Sequence, residues 1–314
     1  MKSSEEENAS PIVSVVIPSR SAGSDLFRAI ASVRRQTYPR LEIIVVLDNA
    51  SPPEETLERL RSSVDRVIEA SVPVGGATAR NMGIAAAAGE WIALLDDDDE
   101  WVETKIERQM AAAARLSEHA SPVISTRVVV QQGDEQRVWP SKKAPTTNPL
   151  SISEYLFCVS GPTKRGEGFV QTSTLLAPRR LFETVPFTDG LRIHQDWDWL
   201  LRAATQSGFY LEMVWEPLTI YYLNPKGTSV SQTKKWIPSY EWASGNPLIS
   251  KRAYAYFLAT VVARYLPMSR LPQVLWVFVT RSQVDLRSAL LFFLFFSFPD
   301  EYRVRAARWL RQRR

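Results

Sequence analysis

Trp91-Ile92-Ala93-Leu94-Leu95-Asp96-Asp97-Asp98-Asp99-Glu100-Trp101 joins a short apolar run to five consecutive acids and returns at once to an aromatic residue. An apolar run that stops so abruptly predicts a buried strand whose carboxyl end opens on a charged turn. Adjacent carboxylates about 4 Å apart repel by roughly 4 kcal/mol per pair at an effective dielectric of about 20. A strand end gives no structural reason to gather so many acids, whereas a divalent cation would remove the repulsion. The alternative is an acidic turn capping a helix that begins near Val102, which accounts for one acid and not for the group. Strand-like alternation sends Asp96 and Asp98 to one side and Asp97 and Asp99 to the other.

Similar units precede this stretch. Residues 13–17 (VSVVI) form an apolar run stopped by Pro18, and Leu26, Ile30 and Val33 follow at helical spacing. Residues 42–47 (EIIVVL) predict a second strand, followed by the turn Asp48-Asn49-Ala50-Ser51-Pro52-Pro53 and a helix through Arg61. Residues 64–70 are a third, poorer strand, and Gly75-Gly76 open an Ala-rich helix that ends near Gly89. Repeated β-α units with short links predict an α/β fold: a Rossmann-like, mostly parallel sheet with helices on both faces. Ligands of such sheets bind beyond the carboxyl ends of the strands, so 18–20, 48–51 and 96–99 are expected along one edge. Farther on, 122–130 and 169–177 read as strands, 196–206 as a helix, and 209–222 as two short strands broken by Pro217. Residues 131–168, rich in Pro, Ser, Thr, Lys and Gly, read as a long, partly mobile loop.

With 314 residues, 45% of them hydrophobic and 23% charged, the chain can bury one large or two modest cores, which excludes disorder, collagen and coiled coil. Cys158 is the single cysteine and His119 and His194 the only histidines, so a metal would be a hard cation held by oxygen. The start MKSSEEENASP lacks the layout of a signal peptide, so a cytoplasmic location is expected. Residues 246–314 hold 12 Lys/Arg against 3 acids, a net of +9, which leaves −5 for residues 1–245 of the chain's +4. This basic, helical region also contains the densest apolar run, the ten residues 289–298 (ALLFFLFFSF). That is too short to span a bilayer, which needs about 20. Helices in which arginines flank aromatics suit the surface of an anionic membrane leaflet; the alternative is a helical subdomain whose arginines are solvated. Nucleic acid is not an expected partner, since no recognition motif accompanies the charge.

Three further candidates lie on or near the predicted edge. Asp48 at a strand end suits hydrogen bonds to a nucleobase or sugar, or an Asx-turn. Gly75-Gly76 with Arg80 suits an anion, or Arg80 is a surface residue of its helix. In His194-Gln195-Asp196-Trp197-Asp198-Trp199, two acids alternate with tryptophans before a helix. Aromatic walls would raise a carboxylate toward the range of a general base, and a helix cap at Asp196 is the structural alternative.

Together, Val13-Ser14-Val15-Val16-Ile17-Pro18, Asp48-Asn49-Ala50-Ser51, Ala79-Arg80-Asn81-Met82-Gly83, the segment from Leu95 to Trp101, and Gln195-Asp196-Trp197-Asp198-Trp199 resemble the ordered motif set of family 2 glycosyltransferases. The resemblance covers residues 11–231 and implies a GT-A type fold. It also implies a divalent cation (Mn²⁺ or Mg²⁺) and inversion at the anomeric carbon. The donor would be a nucleotide-sugar, a UDP-sugar before a GDP- or dTDP-sugar, and the acceptor a glycan or lipid-linked hydroxyl in envelope or exopolysaccharide synthesis. By position, the resemblance assigns donor contacts to Pro18, Arg20, Asp48, Arg80, Asp96, Asp97 and Lys226, the metal to Asp98 and the base to Asp196. It leaves Gln195, Trp197 and Asp198 for the acceptor. Gln195 stands where the family commonly has Glu, and Lys226 where His or Arg is frequent. The expected organisation is a disordered start (1–10), then a catalytic domain (11–240) with nucleotide-sugar (11–115) and acceptor (116–240) halves. The basic region (246–314) follows, and with it the option of peripheral attachment to the inner membrane face. A sugar nucleotidyltransferase should show a glycine-rich basic signature after the first strand, and Pro18-Ser19-Arg20-Ser21-Ala22-Gly23 is not one. An inactive nucleotide-binding or membrane-docking relative would be expected to lack Asp98 or Asp196.

Overall fold

The N-terminal apolar runs become strands because helices cover both of their faces, which is where a parallel sheet is stable. In the computed structural model, which describes residues 10–116, 121–162, 164, 166–223 and 236–298, β1 (Val13–Ser19) is buried along its whole length. β2 (Leu41–Asp48) is buried from Ile43 onward, β3 (Arg66–Ala70) is a partly exposed edge, and β4 (Trp91–Leu94) is the fourth strand. They pair in parallel in the order β3-β2-β1-β4. Strand order reverses between β1 and β4, the place where α/β sheets open a ligand crevice.

Period-two burial sorts the helices. Val13, Val15, Ile17, Ile43, Val45 and Leu47 share one core with Leu26, Ala29, Ile30 and Val33 of α1 (Ser24–Arg34) and Leu57 and Leu60 of α2 (Glu54–Ser63). The alternate residues Val16 and Val46 face Gly83 of α3 (Gly76–Ala86). Helices therefore lie on both faces, as the sequence pattern predicts.

The rest of the sheet is mixed. β5 (Glu100–Trp101) follows the acidic turn, and α4 (Lys105–Ala113) begins three residues later than the sequence places it. β6 (Ser121–Gln132) and β7 (Glu135–Trp139) form an antiparallel pair, and β8 (Leu176–Pro178) is antiparallel to both β4 and β6. α6 (Arg179–Thr184) and α7 (Gln195–Ala203) then lead to β9 (Phe209–Tyr222), parallel to β6 and antiparallel to β5. Three sequence-based expectations are corrected. Residues 209–222 are one strand, because the register shifts around Arg127 absorb Pro217, which cannot donate to a ladder. Residues 169–177 are mostly not strand: Gln171 closes a 3₁₀ turn at Thr172–Thr174 through a capping box. Residues 131–168 are not a long loop. They contain β7 and the helix α5 (Pro149–Phe157), started by an Asn148 cap and a proline at its first position.

By internal contacts the chain forms two units, Met1–Pro140 with Val170–Lys226, and Ser141–Phe169 with Gly227–Arg314. Residues 141–169, which the sequence assigns to the acceptor half, thus cluster with the C-terminal residues. The second unit contains α5, α8 (Trp236–Ala243), α9 (Lys251–Phe257), α10 (Leu271–Arg281) and α11 (Leu286–Ser297). Its core has edge-on contacts of Phe157 with Trp242 and Phe257. Among the described residues, no helix is long and apolar enough to cross a membrane.

Gly83 fixes the spacing between α3 and the sheet. A Cβ there would sit 2.4 Å from Val16 Cγ1 and 3.2 Å from Val46 Cγ2, and both neighbours are β-branched and fully buried. Gly83→Ala is expected to destabilise the protein by about 1–3 kcal/mol through overpacking. Denaturant unfolding should show a lower midpoint at unchanged m-value.

Candidate active site

The turn after β4 sorts its aspartates by partner. The Asp99 N–H bonds back to the Asp96 carbonyl at 3.2 Å, closing a β-turn. Alternation therefore fails here: Asp96 and Asp99 share a partner, since Gln171 Nε2 lies 2.9 Å from a carboxylate oxygen of each. Asp99 is fully buried and also accepts from Ser173 Oγ (2.7 Å) and the Tyr222 N–H (3.3 Å). Burial and the charges of Asp98 and Asp96 hold it well above the usual carboxylate range. Asp97 takes the Ser19 hydroxyl, and burial raises it more than that bond lowers it. Asp98 remains. Among the described residues it has no ion-pair partner, and it lines a cavity of about 460 Å³ with Asp25, Arg28, Gln131, Tyr222 and Leu223. Burial, then Asp96 and Asp97, push it up to about 7.

Arg80 joins this turn to two other elements. Buried on α3, its guanidinium donates to Asp96 Oδ1 and to Gln195 Oε1, each at 2.5 Å. Asp48 accepts from the Val74 N–H at 2.7 Å and the Gly75 N–H at 3.0 Å, so it holds the loop that opens α3 and does not bond its own turn. Gly75 has φ +82°, and a Cβ at Gly76 would press at 3.2 Å on both Arg80 Nη1 and Gln195 Oε1, which explains the glycine pair. Pro18 is buried in β1, and Arg20 is exposed, close enough to lower the Asp97 carboxyl.

Asp196 sits in the first turn of α7 and is not its cap: His194 precedes the helix with left-handed backbone, φ 61°. The Trp197 N–H donates to Asp196 Oδ1 at 2.9 Å. Burial raises Asp196 to about 6; the Trp197 bond and Arg80 oppose the rise, and Asp96 adds to it. The two tryptophans do not both wall this acid. Trp197 stacks on His194 at 4.8 Å, whereas Trp199 is fully buried and stacks on Phe182 at 4.4 Å. Burial also lowers His194 to about 3, so it is neutral beside the site. Gln195 also donates to the Leu191 carbonyl, and Asp198 accepts from Thr188 and Arg202 at 2.7 and 2.8 Å. Lys226 lies outside the described residues. The first unit thus brings Asp48, Arg80, Asp96, Asp97, Asp98, Gln195 and Asp196 to the ends of the strands and the neighbouring helix starts.

Sequence reasoning missed Ser19, Gln171, Ser173 and Asn81. The signal for Gln171 and Ser173 was a run of polar residues where the rest of the segment is apolar. Asn81 brackets Phe187, donating to its carbonyl and accepting from its N–H, each at 2.9 Å, and so pins the chain leading to Asp196 onto α3. Among the described residues, no group of three or more His, Cys, Asp or Glu is spaced to cage a metal ion. A cation bound by one carboxylate and by the phosphates of a ligand needs no such cage. Asp98, which lines the cavity and has no ion-pair partner among the described residues, fits that donor set beside Asp96 and Asp97.

A mixed sheet with a carboxylate-rich, arginine-braced edge is that of a GT-A type glycosyltransferase. The model of glycosyl transferase family 2 matches residues 14–167, and over these residues the chain is similar to that family. It is similar to the amylovoran biosynthesis glycosyltransferase AmsB of Erwinia amylovora, with 29% identity over 268 residues covering 80% of this chain and 84% of that one. It is also similar to the UDP-Glc:alpha-D-GlcNAc-diphosphoundecaprenol beta-1,3-glucosyltransferase WfgD of Escherichia coli. There the identity is 34% over 102 residues, covering 32% of this chain and 40% of that one. The fold resembles that of S. aureus TarS 1–349 in complex with UDP, with TM-score 0.58 and 16% identity over 91% of this chain and 89% of that one. The chain spans half of the longer TarS structure.

Asn81→Ala leaves both polar groups of the Phe187 backbone unmatched, each at about 1–3 kcal/mol. The expected outcome is a lower unfolding temperature and a fall in kcat for sugar transfer that exceeds any loss of nucleotide affinity. Asn81→Asp, which keeps the acceptor, should lie between.

Proposed function

We propose that the chain transfers a sugar from a nucleoside diphosphate sugar to an acceptor hydroxyl in one inverting displacement, with Asp196 as general base. The observation that carries this is the position of Asp196: it feels the charges of Arg80 and Asp96 on the strand-end edge and is itself raised to about 6. A carboxylate in that range is a stronger base than an ordinary aspartate and is still ionised near neutrality. Asp196 would accept the hydroxyl proton as the bond to the anomeric carbon forms, while the nucleoside diphosphate leaves on the opposite side. Pro18, Arg20, Asp48, Arg80, Asp96 and Asp97 line the edge assigned to the donor, and Lys226 would meet its diphosphate. Asp98 would hold Mg²⁺ or Mn²⁺ together with donor phosphate oxygens; when bound, the ion neutralises charge on the departing diphosphate. Trp197 remains for the acceptor. Gln195 and Asp198 are more directly occupied in bracing Arg80 and α7.

The named activity of WfgD and the UDP bound by TarS support a UDP-sugar donor. The named activities of AmsB and WfgD support polysaccharide synthesis and a lipid-linked or glycan acceptor. An acceptor of that kind would be met at the inner face of the cell membrane, with the enzyme attached peripherally.

Asp196→Asn should keep nucleotide affinity and lose on the order of 10² to 10⁴ in transfer rate. The kcat of the wild type should fall as pH drops through about 6, where the base becomes protonated, and a near wild-type rate for the variant would move the base elsewhere. Asp98→Ala should abolish the extra thermal stabilisation that Mn²⁺ adds to UDP while leaving the fold intact. Full transfer activity in excess EDTA would contradict the metal assignment.

A further inference from the structure

The second unit leaves an unusual amount of apolar surface outside. Of the 14 large hydrophobic side chains that are exposed among the described residues, nine lie between Met268 and Phe298. Both helices of this stretch are apolar on two sides. On α10, Val274, Val277 and Phe278 are buried, while Leu275, Trp276 and Val279 are exposed. On α11, Leu291, Phe292 and Phe295 are buried, while Leu286, Leu290 and Phe293, at spacings of four and three residues, form an outer stripe. Phe278 packs on Phe292 with ring centroids 4.7 Å apart, so the inner sides already satisfy each other. The outer sides have no such explanation: Trp276 is 68% exposed, Phe293 69% and Leu286 78%.

The charge around these side chains selects the partner. Arg270, Arg281 and Arg287 are exposed within the same stretch. Its one acid among the described residues, Asp285, is occupied as the cap of α11, accepting from the Ser288 N–H at 2.7 Å and from the Tyr256 hydroxyl. The sequence of 246–314 carries a net +9. Two copies of such a surface would repel each other, whereas an anionic lipid surface complements both its apolar and its basic side chains. α11 has 12 residues and a length of about 18 Å, well short of the roughly 30 Å hydrocarbon core, so insertion stops at headgroup depth.

We infer that the outer sides of α10 and α11, with Trp276, Leu290 and Phe293 as apolar anchors and Arg270, Arg281 and Arg287 as basic contacts, seat the protein on an anionic bilayer surface. This deepens the membrane-face reading above. It also redraws the sequence expectation: Leu291, Phe292 and Phe295 of the 289–298 run are core, and α10 contributes anchors that the run does not include.

Sedimentation with vesicles needs neither donor nor acceptor, so it separates failure of this inference from failure of the transfer reading. The full chain should pellet with vesicles of phosphatidylcholine mixed with phosphatidylglycerol at low salt. It should pellet much less with phosphatidylcholine alone or at high salt. The double variant Trp276→Ser/Phe293→Ser should bind the mixed vesicles about tenfold more weakly or worse. Its unfolding temperature should be unchanged, because both side chains are exposed. Three results would overturn the inference: a chain that stays in the supernatant with the mixed vesicles, binding that ignores the double substitution, or a vesicle-free dimer that the same substitutions dissociate.

Discussion

The site is organised around one buried cation. Arg80 is 7% exposed and joins three elements that are remote in sequence: its own helix, the turn after β4 through Asp96, and the start of α7 through Gln195. Removing one member of such a pair strands the other charge, typically at about 3–5 kcal/mol. The planar guanidinium matters as much as the charge, because two nitrogens are directed at two acceptors, and a lysine would supply a single point. Gly76 leaves room for this contact and Asp48 fixes the loop that delivers it. The strand-end edge and the helix carrying Asp196 are thereby held in one register.

The same economy of partners explains the acidic turn. Four adjacent aspartates are tolerable because they are not equivalent. Asp96 is neutralised by Arg80, Asp97 is bonded to Ser19, and Asp99 is buried in a hydrogen-bonded pocket where burial favours its protonated form. Of the four, Asp98 lines the cavity and has no ion-pair partner among the described residues. The repulsion that makes the sequence conspicuous is thus resolved by protein groups at three of the four positions.

Much of this was legible in the sequence, and the limits have physical causes. The parallel half of the sheet declared itself because each strand is a buried apolar run followed by a period-3.6 helix. The edge residues followed from where such runs end. The mixed half was poorly legible, since 131–168 and 169–177 owe their structure to an asparagine cap, a proline and a capping box, which are local hydrogen bonds and not periodicity. Asp96 and Asp99 were put on opposite sides because a turn was read as extended chain. Trp199 was read as a wall of the site, although single-sequence patterning does not distinguish a tryptophan facing a carboxylate from one facing the core. Gln171 and Asn81 went unassigned because their partners lie 75 and 106 residues away.

The central claim is a single displacement in which Asp196 takes a proton and no protein group becomes bonded to the sugar. The stereochemistry of the product tests it most directly. With an α-configured UDP-sugar as donor, the anomeric proton coupling in the NMR spectrum of the newly formed glycoside should report a β linkage from the first turnover. An α product formed with retention would require a double displacement or front-side attack and would contradict the account.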